Sequence, residues 1–332
     1  MRNFIYSLVI ILTVLAGYIV FHKDESTVNR TIGAVNSIID NVVPTSSHEG
    51  IMLFVGDIML SRSVGTLMAK RENYDFPFEK IIDTLKQADL VIANLENPVS
   101  ARGIKVGSIY SFRADPKVIE SLQYAGINIV NIANNHMWDY GRDAFSDTLE
   151  YLKMAGIDYV GGGSNFQETH IGITKDISES KVTFLGYTDL ISSKVSATKT
   201  TAGVSYLDLT QMVADIKQAK SQSDIVVVSF HWGDEYKINH NLKQEYIAKM
   251  AIDAGASLII GHHPHVRQEI EQYKDSWIAY SLGNFIFDQN FSYETTHGIV
   301  LEVIIKDKEI KSVNKKEIAI SNEYQASLAD LK

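Results

Sequence analysis

Short, unbroken apolar runs recur along the chain from Ile51, separated by stretches in which apolar residues return every three or four positions. The runs are IMLFVG (51–56), LVIAN (90–94), INIVNIA (127–133), VTFLGY (182–187), DIVVVSF (224–230), SLIIG (257–261), WIAYS (277–281) and GIVLEVII (298–305). Rich in β-branched residues and lacking a polar alternation, they predict strands buried on both faces. Pro77–Gln87, Lys117–Ala125, Asp143–Ala155, Leu209–Ser221 and Leu242–Ala254 predict amphipathic helices between them. The stretch VIESLQYAGINIVNIANNH shows the grammar: a helix stops at Gly126, a buried strand follows, and polar residues appear where it runs out. Strands alternating with helices predict an α/β domain over 51–320 with its sheets covered by helices.

The N-terminus has a different pattern. After MRN, the 18 residues Phe4–Phe21 carry no charge, and HKDE follows. At 1.5 Å per residue such a helix spans about 27 Å, enough for a bilayer core. It predicts a single transmembrane anchor over 1–22, with Arg2 holding the N-terminus in the cytoplasm and the bulk of the chain on the extracytoplasmic face of the cell membrane. A signal peptide cleaved near Ala16 is the alternative; the run exceeds the usual core of about 7–15 residues, which favours the anchor. Residues 23–50 read as a juxtamembrane spacer, polar apart from Ile32–Val43.

Charge and cysteine content narrow the chemistry. A formal net charge of −9 argues against a nucleic-acid partner, which would require a basic face. With no cysteine, disulfides, thiolate metal sites and thiol nucleophiles are excluded.

In open α/β sheets ligands gather at the carboxyl ends of the strands. Five of the apolar runs deliver polar groups there: Asp57 after the first, Glu96 after LVIAN, Asn134, Asn135 and His136 after INIVNIA, His231 after DIVVVSF, and His262, His263 and His265 after SLIIG. Any one alone reads as a cap, a turn or a buried histidine. Five in one topological place predict a shared site. Carboxylate, imidazole and carboxamide without thiolate suit divalent Mn, Fe or Zn. Two ions about 3.5–4 Å apart would suit attack on phosphorus, and Glu96 is a candidate to bridge them.

The blocks GDIML, ANLENPV, NIANNHMWDYG, SFHWGDEY, GHHPHV and YSLGNFIFD resemble, in order and spacing, the CapA family of poly-γ-glutamate capsule biosynthesis proteins, within the calcineurin-like metallophosphoesterase superfamily. The resemblance covers about residues 51–305. It implies a four-layer α/β/β/α sandwich of two sheets flanked by helices, with a dimetal site at one edge. It implies Asp57, Glu96, Asn135, His231, His263 and His265 as metal ligands, the last two serving one ion each with Pro264 stiffening the turn between them. It implies His136 as the catalytic group that protonates the leaving oxygen, and it gives His262 no role. The chain departs from the superfamily pattern at two points. The D-x-H motif reads Asp57-Ile58-Met59, and Glu96 stands where an aspartate is usual. A thioether is a poor ligand for a hard ion, so one first-site ligand is missing.

Around these, Arg113 and Asp139 are candidate substrate-binding residues, Asp139 also as an orienter of His136. Trp138 and Trp232 are candidate pocket walls, with core packing as the default, and Asn284 is a candidate support for the ligand loop. The implied partners are a capsule polymer or phosphorylated substrate and membrane-embedded polymer synthase or export subunits. Two other readings stay open: a non-catalytic assembly subunit, and a broad extracellular phosphoesterase.

Overall fold

The computed structural model describes residues 49–106 and 109–329. Phe4–Phe21 and almost all of the spacer lie outside the described residues, among which no helix is long and apolar enough to cross a membrane.

Sixteen strands are present among the described residues, in three sheets. In chain order they are β1 (Gly50–Ile58), β2 (Leu90–Leu95), β3 (Ile127–Asn131), β4 (Asp158–Val160), β5 (Gly162–Gly163), β6 (Ile173–Ile177), β7 (Ser180–Thr188), β8 (Gly203–Val204), β9 (Ile225–His231), β10 (Leu258–His262), β11 (Ile270–Tyr273), β12 (Ser276–Ala279), β13 (Asn284–Ile286), β14 (His297–Lys306), β15 (Glu309–Ile320) and β16 (Ala326–Leu328). The first sheet runs β16-β15-β14-β1-β2-β3-β4, with β13 pairing the end of β1, and the second runs β11-β12-β10-β9-β7-β6. Strands β5 and β8 form a separate pair.

Strand pleating sorts each apolar run between two cores. Met52, Phe54, Leu90, Ile92, Val182, Phe184, Ile225, Val227, Leu258 and Ile260 share one buried cluster, drawn from both sheets. Their neighbours Leu53, Val55, Val91 and Ala93 belong to a second cluster, with Val118 and Leu122 of the helix Val118–Tyr124 and Phe145 and Leu152 of the helix Gly141–Met154. Val226, Val228 and Ile259 belong to a third, with Met212 and Ile216 of the helix Leu209–Gln222 and Ile247 and Ala251 of the helix Leu242–Ala254. The layers are therefore helix, sheet, sheet, helix, which buries both faces of the apolar strands.

Four expected helices form close to their predicted bounds. The start of Leu242–Ala254 is fixed by a reciprocal cap between Asn241 and Gln244. The fifth, Pro77–Gln87, does not form as one helix. It splits into a 3-10 turn, Phe76–Phe78, and a single α-turn, Ile82–Leu85. Pro77 has no N–H to give, and successive i→i−3 bonds, Phe78 to Asp75 and Ile81 to Phe78, hold the segment in tighter turns. Sequence patterning also leaves unpredicted the helix Arg62–Arg71 and the polar hairpin strand β15.

One irregularity positions the site. Along β1 and β2, Phe54 pairs Ile92, but Asp57 pairs Asn94, so β1 spends an extra residue between these registers. The bulge reverses the pleat. Asp57 shares odd parity with Leu53 and Val55, which face the helices, yet its carboxylate meets Asn94, His262 and His265 at the inter-sheet edge. Gly56 makes the bulge possible, because a Cβ there would stand 1.9 Å from the carbonyl oxygen of Gly283.

Candidate metal centre

All the polar groups expected at strand ends converge on one edge of the sandwich. Asp57, Glu96 and His231 have no exposed surface, and His262 and His265 are buried almost as completely. Two sets of ligand-type atoms lie within 4.8 Å of one another: Asp57, Glu96 and His231, and Glu96, His263 and His265. Glu96 belongs to both. His263 and His265 fall in one set rather than dividing between two. Both project from a single tight turn, at φ +98 and φ +58, around Pro264.

The surroundings fix each ring. His265 Nδ1 donates to Asn284 Oδ1 at 3.0 Å, leaving Nε2 facing Glu96 Oε1 at 3.7 Å. His231 Nε2 lies 3.8 Å from Glu96 Oε1 and 2.7 Å from Asn135 Oδ1. Asn94 Nδ2 donates to Asp57 Oδ1 at 2.8 Å and approaches His231 Nδ1 at 3.3 Å, while Asn131 donates to Asn94 Oδ1 at 3.0 Å. The His263 backbone N–H donates to Asp57 Oδ2 at 3.2 Å.

Glu96 is the exception. Both of its carboxylate oxygens are buried without a hydrogen-bond partner, as is Nδ1 of His263. Burial, then the Asp57 carboxylate, pushes the Glu96 acid well above its ordinary range. Burial opposes ionisation of Asp57 too, but the imidazoles of His262 and His265 beside it hold its carboxylate well below the usual value. Burial and neighbouring imidazoles, His265 first, lower His263 to about 3, and His231 is lowered well below the histidine norm by burial and then His263. A buried carboxylate with no donor, beside His231 and His263 held neutral, is an acceptor set waiting for cations. Ligand atoms on one ion at about 2.0–2.2 Å stand roughly 3–4 Å apart, so the donor spacings fit a divalent metal.

His136 stands beside this set. Its Nδ1 donates to Asp139 Oδ2 at 2.8 Å, and its Nε2 faces Glu96 Oε1 at 3.9 Å. Phe112 stacks on its ring at 3.8 Å, and the Phe112 N–H donates to Asp139 Oδ2 at 2.7 Å. Asp139 thus reaches the site through His136. Arg113 is used within the protein: its guanidinium lies over the Tyr140 ring at 4.2 Å and donates to the carbonyl of Arg102 at 2.9 Å. Trp232 is a core residue, stacked on Phe230.

Sequence reasoning passed over Asn94 and Asn131, which fall inside the blocks ANLENPV and NIANNHMWDYG but sit within the strands rather than past their ends. The signal was their common place near the ends of adjacent strands, Asn94 next to last in β2 and Asn131 last in β3. It also passed over Tyr236, whose ring lies 6.1 Å from that of His265 and whose phenol is raised to about 12 by burial and Glu235. Arg62, ion-paired to Asp288 and placed over Phe112, was missed likewise.

A family model described as bacterial capsule synthesis protein PGA_cap matches residues 51–289, which includes every ligand in both sets. The chain belongs to this family. Its relatives include the capsule biosynthesis protein CapA of Bacillus anthracis, 37% identical over 78% of this chain and 66% of that protein. The PGA biosynthesis protein CapA of Bacillus subtilis (strain 168) is 35% identical over 74% of this chain and 66% of that protein. The matches thus span a little under two thirds of the length of these relatives. Among solved structures, a hypothetical protein from Thermus thermophilus shares the fold, with a TM-score of 0.52 and 16% identity over 80% of this chain and 98% of that chain.

Proposed function

We propose that this PGA_cap protein is a membrane-anchored, outward-facing CapA-type protein that serves capsule polymer synthesis, export or attachment through a dinuclear divalent-metal site acting on a phosphate or acyl-phosphate group. Poly-γ-glutamate is the favoured polymer, and membrane-embedded synthase or export subunits are the favoured partners. The observation that carries the catalytic part is Glu96, wholly buried, unpartnered at both oxygens and common to two ligand sets. The names of the Bacillus relatives support the capsule part. The uncharged run Phe4–Phe21 supports the anchor.

Asp57, Glu96, Asn135, His231, His263 and His265 would hold the ions. When bound, these supply Lewis-acid polarisation of a phosphoryl oxygen and charge neutralisation. The remaining work belongs to side chains. Asp139 fixes the tautomer and plane of His136, so that Nε2, the nitrogen facing the site, can hold a proton for a leaving oxygen. Phe112, stacked over the ring, keeps water from one face of it. Asn284 holds the His265 ring so that Nε2 faces inward.

The test measures hydrolysis of p-nitrophenyl phosphate and acetyl phosphate by the Mn²⁺- or Zn²⁺-loaded chain, beside His136→Ala. The reading expects turnover that falls at least about 100-fold in the variant with metal content unchanged. Loaded wild-type protein with no turnover of either compound would sink the catalytic reading and leave the assembly-subunit reading.

A further inference from the structure

The sequence GHHPH carries three histidines, and one belongs to neither ligand set: His262. It is also firmly held. It closes β10, is 2% exposed, and pairs in register with His231 on β9. Its carbonyl accepts from the Trp232 N–H at 3.1 Å. Leu258 and Ile260 on β10, and Ile225 and Val227 on β9, point between the sheets. Two-residue periodicity turns His262 and His231 the same way, side by side.

The His262 Nδ1 atom lies 3.3 Å from Asp57 Oδ1. That oxygen already accepts from Asn94 Nδ2 at 2.8 Å, so the buried His262 nitrogen meets an occupied acceptor and makes an ion-pair contact with it rather than a well-formed hydrogen bond. A buried ring nitrogen without a well-formed hydrogen bond calls for a further partner, and a cation suits a nitrogen that stands beside a carboxylate. On the other flank of Asp57, Asn135 approaches through His231, so that side has its carboxamide. The residue two after Asp57 cannot contribute: Met59 packs in the helix-side apolar cluster, and its sulfur accepts from the Ser61 hydroxyl at 3.1 Å.

The geometry points to His262 as a metal ligand through Nδ1, completing the coordination of the ion that Asp57 holds. The inference rests on the dinuclear reading above. Asp57 and His262 then form a carboxylate–imidazole pair across the two sheets, one group from β1 and the other from β10.

The test titrates the metal-free full-length chain with Co²⁺, following its visible d–d absorption, and counts bound ions by equilibrium dialysis. Wild type is compared with His262→Phe, which keeps a ring without a donor, and His262→Asn, which puts an oxygen where Nδ1 stood. Circular dichroism checks folding, and His262→Ala takes the place of the phenylalanine variant if that variant does not fold. The expected result is two ions in wild type, one of them weakened at least about tenfold in His262→Phe with a changed spectrum, and substantial recovery in His262→Asn. Unchanged binding in His262→Phe overturns the inference and leaves the dinuclear reading standing. Equal weakening in both variants also overturns it, since packing rather than donation would then matter. No ion in wild type overturns the inference and the dinuclear reading together.

Discussion

The energetics of the site turn on one carboxylate. Glu96 is buried with no hydrogen-bond donor and with Asp57 nearby, so without metal it gains a proton more readily in the folded than in the unfolded chain. Its folded value is raised, so its contribution to stability is full below the ordinary 4.5 and is lost as pH rises through the folded value. His263 has the opposite sign. Lowered from 6.5 to about 3, it contributes stability above 6.5 that drains away as pH falls toward 3, at about 1.4 kcal/mol per pH unit. Between 4.5 and 6.5 the two slopes oppose each other. In chelator-treated protein, Glu96→Gln should therefore raise stability at neutral pH and make its decline below 6.5 steeper than in wild type. Urea unfolding at several pH values measures both. A variant with the wild-type pH profile would mean that Glu96 is not held as described. In the presence of Mn²⁺ or Zn²⁺ the same substitution should instead weaken ion binding at least about tenfold, read by calorimetry.

Elements explain what patterning could and could not reveal. The strands that deliver ligands were legible because burial on both faces demands unbroken apolar runs, and strand ends in such sheets are where chemistry collects. The hairpin strand β15 was not, because one of its faces meets water and Lys311, Lys315 and Lys316 dilute its apolar residues. The bulge between Phe54 and Asp57 was also illegible, although it decides which way Asp57 points. Its only trace is Gly56, and a glycine before an aspartate has many explanations. The same holds for Asn94 and Asn131, whose part emerges only when β1, β2 and β3 stand in register. Gly56→Ala tests the bulge. With 1.9 Å between the new methyl and the Gly283 oxygen, a loss of about 2 kcal/mol or more is expected in urea unfolding, together with impaired metal binding through Asp57. An unaltered midpoint would mean that the strand re-registers without cost.

At the scale of the molecule, the site is fed by both sheets, while the three apolar clusters are complete without it. Removing metal should leave the secondary structure intact and lower the melting temperature, because ions that bind only the folded chain stabilise it by mass action, about 2.7 kcal/mol at 100 times the dissociation constant. Calorimetric melting with and without chelator, beside far-ultraviolet circular dichroism, separates the two effects. Collapse of the helical signal on chelation would show that the core depends on the ions after all.

The turn that carries His263 and His265 has its own implication for how such a protein can change. Both residues hold backbone angles that glycine adopts freely and that other residues adopt at a cost of about 1–3 kcal/mol each. Replacing either with glycine should relax the backbone even as it deletes a ligand. Selection for robustness alone would therefore drift toward a sturdier, inert chain, and the two histidines are a standing concession of stability to function.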